Sequence, residues 1–198
     1  MKQPNLSISK ELSYFIGAFL GDGYLSCNMK NQSYLIKIYA GLDKSFAEKC
    51  FNCLKTICLN PRMWFYKNKK YMKWKGQWIV YVYSKKLYEY LKNLKIENLK
   101  NLLNSKELIY SFIIGFYDAE GCLPYKKYRK NIRLNLHIDN TNLELVNFVK
   151  ELLFNLGFNP TLVCLIHKKK PNWKPLYRLS LYRQKEITKF LLISSSFF

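Results

Sequence analysis

The stretch Phe15-Ile16-Gly17-Ala18-Phe19-Leu20-Gly21-Asp22-Gly23 returns as Ile113-Ile114-Gly115-Phe116-Tyr117-Asp118-Ala119-Glu120-Gly121. Glu120 follows Asp22 by 98 residues, and Tyr81-Val82-Tyr83-Ser84 matches Ser180-Leu181-Tyr182-Arg183 in nearly the same register. A repeat of this length is one structural unit used twice. The spacing therefore predicts a first repeat over 1–93, a linker rich in Asn and Lys over 94–104, and a second repeat over 105–198.

Each repeat reads as helix, two strands, helix, two strands, helix. The predicted fold class is α+β, two αββαββα units with antiparallel sheets. Ser9 can cap the first helix with Glu11 in its first turn, and Asn104 with Glu107 forms a box-like start for the second. Both helices should stop at a glycine, Gly23 or Gly121. Alternation predicts strands over 34–40 and 133–138, and β-branched or aromatic runs add 78–83 and 177–182. Helical stretches follow over Lys44 to Leu59 and Asn142 to Leu156, with closing helices over Lys85 to Leu94 and Lys185 to Leu192.

The repeated helix carries small residues at four-residue intervals: Ser13, Gly17 and Gly21 in one copy, Ser111, Gly115 and Ala119 in the other. Glycine inside a helix costs about 1 kcal/mol, so paying it twice favours a seam where two helix backbones meet closely. Parallel packing would bring together two helix C-termini, each next to an acid, Asp22 or Glu120. Helix C-termini carry partial negative charge, so carboxylates there are unfavourable until a cation reverses the sign. Hard divalent ions take their oxygen ligands from carboxylates and carbonyls, which makes the pair a candidate metal site. Asp118, two residues before Glu120, should point to a different helix face.

Lys and Arg number 33 against 13 acids, a formal charge of +20 that directs the surface toward polyanions. No apolar run is long enough to span a membrane, and the N-terminal stretch lacks the form of a signal peptide, so an intracellular protein is expected. Its cysteines should then be reduced. Cys50, Cys53 and Cys58 cluster, but they fall on a helical stretch with no second pair at zinc-ribbon spacing, so they read as helical thiols.

Together the two motifs resemble the LAGLIDADG homing endonucleases in their single-chain, two-motif form. That resemblance implies a pseudo-symmetric monomer with motif helices packed at the interface and antiparallel sheets forming a saddle on double-stranded DNA. It implies a site-specific double-strand endonuclease, intron- or intein-associated, hydrolysing phosphodiesters with Mg²⁺. Mn²⁺ would substitute, and Ca²⁺ would support binding without efficient cleavage. By motif position Asp22 and Glu120 would be both catalytic and metal-binding, with the carbonyls of Gly21 and Ala119 as further ligands. Lys44, beside Asp43, matches the family's basic catalytic position, whereas the second repeat has Asn140 and Thr141 there and no lysine. The rival reading on the same scaffold is an RNA maturase or splicing cofactor binding intron RNA, which would not need the two acids.

Basic residues fall on the strand and turn segments that would line the saddle. Lys67, Lys69, Lys70, Lys73 and Lys75 interleave with aromatics, and Lys126, Lys127, Arg129, Lys130 and Arg133 do the same. Lys168, Lys169 and Lys170 form a third cluster with Arg178 beyond it. Lysines mainly neutralise phosphate, while Arg133 and Arg178, at strand positions, are candidates for reading guanine edges.

Overall fold

Ser9 opens the first helix as expected: its side chain accepts a hydrogen bond from the Leu12 N–H at 3.2 Å. Helix α1 (Lys10–Asp22) then runs to Gly23, whose extended backbone (φ −83°, ψ 153°) begins strand β1 (Gly23–Asn28). This glycine does not supply a left-handed turn. It is required by space, since a Cβ there would lie 2.2 Å from the Phe19 carbonyl oxygen.

The computed structural model describes residues 4–67, 75–128, 131–165 and 174–196. Their contacts fall into two units, Met1–Ala119 and Glu120–Phe198. After β1 the first unit continues with β2 (Ser33–Tyr39), α2 (Lys44–Thr56), β3 (Arg62–Tyr66), β4 (Gln77–Tyr83) and α3 (Lys85–Lys92). Its sheet has the order β1-β2-β4-β3, with antiparallel neighbours. Alternation sends Ile36, Ile38, Val80 and Val82 into the core and leaves Lys37, Tyr39 and Tyr81 on the outer face. Phe46, Leu54, Leu87 and Leu91 are buried with them. Cys50 and Cys53 are buried helical thiols, but Cys58 lies past the helix, exposed, with φ +65°.

The segment expected as a linker contains a short helix, α4 (Ile96–Leu102), whose Leu99 is buried. Helix α5 (Lys106–Glu120) follows. Its first turn is capped by Ser105 and not Asn104: the Ser105 hydroxyl accepts from the Leu108 N–H at 3.3 Å. Through Ala119 this helix packs with the first unit, so the division by contact differs from the division by repeat.

The second unit holds β5 (Gly121–Cys122), β6 (Tyr125–Tyr128), β7 (Asn131–Leu134), β8 (Leu136–Asn140), α6 (Leu143–Asn155), β9 (Thr161–Leu165), β10 (Leu176–Leu181) and α7 (Gln184–Ser196). Its main sheet, β5-β8-β10-β9, reproduces the order of the first. The strand expected over 133–138 is split at Asn135, and β6 and β7 form a ribbon of their own. Pro124, on the facing chain, has no N–H for the ladder, and the Asn135 N–H bonds its carbonyl at 2.9 Å. Among the described residues no helix is long and apolar enough to cross a membrane.

Candidate metal centre and nucleic-acid face

Within the first unit α1 and α5 meet backbone to backbone along the small-residue stripe. A Cβ on Gly17 would lie 2.1 Å from the Phe112 carbonyl oxygen, and one on Gly115 would lie 2.1 Å from that of Tyr14. The serines complete the seam. Ser13 Oγ donates to the Leu108 carbonyl and Ser111 Oγ to that of Lys10, each at 2.7 Å. These crossed contacts keep residue 17 level with 112–116 and residue 115 level with 14–18, so the helices run parallel.

Asp22 is the last residue of α1. Its carboxyl is pushed up to about 6 by desolvation, and among the described residues no cation offsets the shift. A carboxylate placed at a helix end, partly withdrawn from water and lacking a counter-charge, is the electrostatic setting that a divalent cation corrects. Glu120 ends α5 and begins the second unit, where Asn140 Nδ2 donates to its Oε1 at 2.6 Å. Asn140 Oδ1 in turn accepts from the Asn142 N–H at 2.8 Å, which fixes the amide. The polar residue that stands in the second repeat where lysine was expected thus touches the motif acid directly.

Among the described residues no group of three or more His, Cys, Asp or Glu side chains could hold a metal. A cation at either motif acid would therefore complete its shell from backbone carbonyls, phosphate and water. The carbonyls of Gly21 and Ala119, in the last turns of their helices, have no intrahelical donor to satisfy them. An all-oxygen set of this kind fits Mg²⁺, Mn²⁺ or Ca²⁺.

The other acid, Asp118, faces away as expected. It accepts from Tyr14 Oη at 2.7 Å and from the Lys49 ammonium at 2.9 Å, with both ionic side chains largely buried. Burial and the adjacent carboxylate raise the Tyr14 phenol far above its ordinary range, so it stays protonated and donates. Nothing in the sequence distinguishes Lys49, because a lysine on an amphipathic helix ordinarily faces water. Lys44 does face water: its ammonium pairs with Glu48 at 2.9 Å and lies 5.9 Å from the centre of the Trp78 ring. Asp43 beside it caps α2, accepting from the Phe46 N–H at 2.9 Å.

Of the basic residues expected on nucleic acid, Lys67, Lys75, Lys126, Lys127 and Arg133 are exposed. Lys126 and Arg133 face each other across the β6–β7 ribbon. Like charges directly opposite destabilise a ladder, and a polyanion relieves the strain. Arg178 is engaged differently, in a bidentate pair with Asp139 at 2.6 and 2.8 Å. Lys69, Lys70, Lys73, Arg129, Lys130, Lys168, Lys169 and Lys170 lie outside the described residues.

A family profile described as a LAGLIDADG-like domain matches residues 107–193. MJ0398, an uncharacterized protein of Methanocaldococcus jannaschii, is 32% identical over 199 residues, covering 95% of this chain and 67% of its own. The chain belongs to the LAGLIDADG family. A second uncharacterized protein of that organism, MJ0314, is 31% identical over 82% of the chain and 60% of its own length, so the LAGLIDADG chain spans about two thirds or less of these relatives. Variants of the homing endonuclease I-DmoI superpose with a TM-score of 0.65 at 25% identity, covering 94% of this chain and 96% of theirs. I-DmoI in complex with DNA and Mn gives 0.64 at 24% identity, covering 96% and 98%. The N-terminal LAGLIDADG domain of DUF199/WhiA shares the fold, with a TM-score of 0.65 at 15% identity over 96% of this chain and 83% of its own.

Proposed function

We propose that this LAGLIDADG protein is a site-specific endonuclease that cuts double-stranded DNA, with Mg²⁺ held by Asp22 and Glu120. One observation carries the reading: Asp22 is a partly buried carboxylate at a helix C-terminus with no cation offsetting its desolvation among the described residues, and Glu120 is the acid at the matching motif position. Two such acids are costly to a protein that only binds DNA or RNA. A bound divalent metal supplies the chemistry, neutralising the scissile phosphate and making water a stronger nucleophile.

The chain's own residues position and attract. Asn140 orients the Glu120 carboxylate through one of its oxygens. Lys126, Lys127 and Arg133 neutralise phosphates along the ribbon, and Lys44 stands at the family's basic position in the first repeat alone. Because the repeats differ there, the two strands are cut at unequal rates. One chain serves each duplex, since the internal repeat supplies the two acids that a one-motif protein would obtain by dimerising. Homing of an intron or intein is the biological role that such cutting serves.

The test is to challenge a randomised duplex library with the purified chain and Mg²⁺, then sequence the cut ends. Cleavage at a recurrent long site is expected, with Asp22→Asn and Glu120→Gln losing it by orders of magnitude while still binding. Unchanged cutting by either variant sinks the assignment. Tight binding of intron RNA with no DNA cleavage would transfer the case to the maturase reading.

A further inference from the structure

One oxygen joins three helices. Asp118 Oδ2 accepts from Tyr14 Oη of α1 at 2.7 Å and from Lys49 Nζ of α2 at 2.9 Å, which ties the last turn of α5 to both neighbours. The other repeat does without this network. The motif spacing of 98 residues sets Phe112 against Tyr14 and Leu20 against Asp118. The helix caps Asp43 and Asn142 stand 99 residues apart and set Phe148 against Lys49. All three counterparts are apolar, with Phe112 and Phe148 buried. Stability does not explain the difference. A buried ion pair seldom outperforms apolar side chains of similar size, and a carboxylate in the last turn of a helix opposes the helix dipole.

We infer that Tyr14, Lys49 and Asp118 are positioning residues for Glu120, holding the last turn of α5 so that the Glu120 carboxylate meets a divalent cation in one fixed place. This rests on the reading of Glu120 as a metal ligand. Asp118 comes directly before the Ala119 carbonyl and the Glu120 carboxylate, the two candidate ligands that α5 supplies. Helix ends fray unless tied, and this end is tied through a side chain that faces away from the ligands. Glutamate is also one methylene longer than the aspartate at position 22, so its carboxylate has more conformations to lose and swings more widely on a loose turn. Asn140 restrains the carboxylate itself through Oε1, and the network restrains the turn that carries it.

Charge and position make opposite predictions for Lys49. If its ammonium acted only as a charge, removing it would leave Asp118 as an added anion two residues from Glu120 and tighten the binding of a cation. If it holds the turn, removing it loosens the ligands and weakens that binding. The sign of the effect tells the two apart.

The experiment titrates the full chain with Mn²⁺ alone, without DNA, and reads the free ion by electron paramagnetic resonance at a temperature where circular dichroism shows the variants folded. Glu120→Gln should weaken binding, and Lys49→Met should weaken it about tenfold, as expected of a residue that orients a metal ligand. Added to Glu120→Gln, Lys49→Met should change nothing further, whereas a residue that only stabilised the fold would depress binding in both backgrounds. Tyr14→Phe removes one hydrogen bond and little packing, so it should weaken binding about threefold even if Lys49→Met does not fold. Unchanged or tighter binding in a folded Lys49→Met or Tyr14→Phe chain overturns the inference, as does an equal loss in the Glu120→Gln background. Either result leaves Glu120 as a ligand. If Glu120→Gln binds Mn²⁺ like the unaltered chain, Glu120 is no ligand, and the metal site of the proposed function falls together with the inference.

Discussion

Replacing Gly17 with alanine sets two effects of opposite sign against each other. Helix propensity alone favours alanine by about 1 kcal/mol, so an isolated helix would gain stability. In the seam the new Cβ would lie 2.1 Å from the Phe112 carbonyl oxygen and 2.9 Å from the Phe116 nitrogen, both backbone atoms that no rotamer change can remove. Carbon and oxygen settle at about 3.3 to 3.6 Å, so the helices must part by more than about 1 Å. That separation also stretches the two 2.7 Å serine hydrogen bonds beyond useful range. Overpacking costs about 1–3 kcal/mol and each lost hydrogen bond about 1 kcal/mol, leaving a net loss of about 2–4 kcal/mol after the propensity gain. For a chain of this size the Tm should fall by roughly 5–15 °C. Thermal melting followed by circular dichroism reads it directly. An unchanged or raised Tm would mean the helices do not meet at Gly17 and would refute the seam.

Three further outcomes are expected. Asp22 has a folded pKa raised from 3.8 to about 6, so the folded state prefers the protonated acid, and stability in EDTA should fall as pH rises from 3.8 through about 6 and then level off. Asp22→Asn should flatten that part of the profile in urea melts at several pH values; an unaltered profile would show that Asp22 is well solvated. Lys49→Met leaves Asp118 without its cation in a largely buried place and should cost about 3 kcal/mol, against about 0.5 kcal/mol or less for breaking the exposed Lys44–Glu48 pair. Equal losses from the two variants in urea titration would refute that ranking. Lys126→Ala and Arg133→Ala should each lower the slope of log K against log salt by about 0.9 for every phosphate contact removed, as read from duplex titrations in rising KCl.

The sequence is most legible where one chemical period governs a segment. Alternation in Ser33–Tyr39, the β-branched and aromatic run of Gln77–Tyr83, and the small stripe of α1 are each readable without knowing what lies opposite. The short helix α4 is not, since Asn and Lys dominate it and one buried leucine, Leu99, suffices to dock it. Nor is the break at Asn135, which depends on Pro124 being its neighbour across the ribbon. Arg178 looked like a base reader because its partner Asp139 is 39 residues away and becomes adjacent only through strand register. The same holds at the motif acids, where the family resemblance places Asn140 but its bond to Glu120 exists only in the folded chain.

The crossed glycine contacts also bear on how such a chain can change. Gly17 and Gly115 set one helix separation between them, so after one has been enlarged the second meets helices already apart and its added cost is smaller. Mutations at the two sites are epistatic, and neither repeat can drift at the seam without the other feeling it. The sheet faces carry no such tether: Tyr24 and Trp64 in one repeat stand where Cys122 and Val163 stand in the other. A duplicated gene under these rules diversifies from the outside inward, its copies acquiring separate surfaces long before they can part company at the helices.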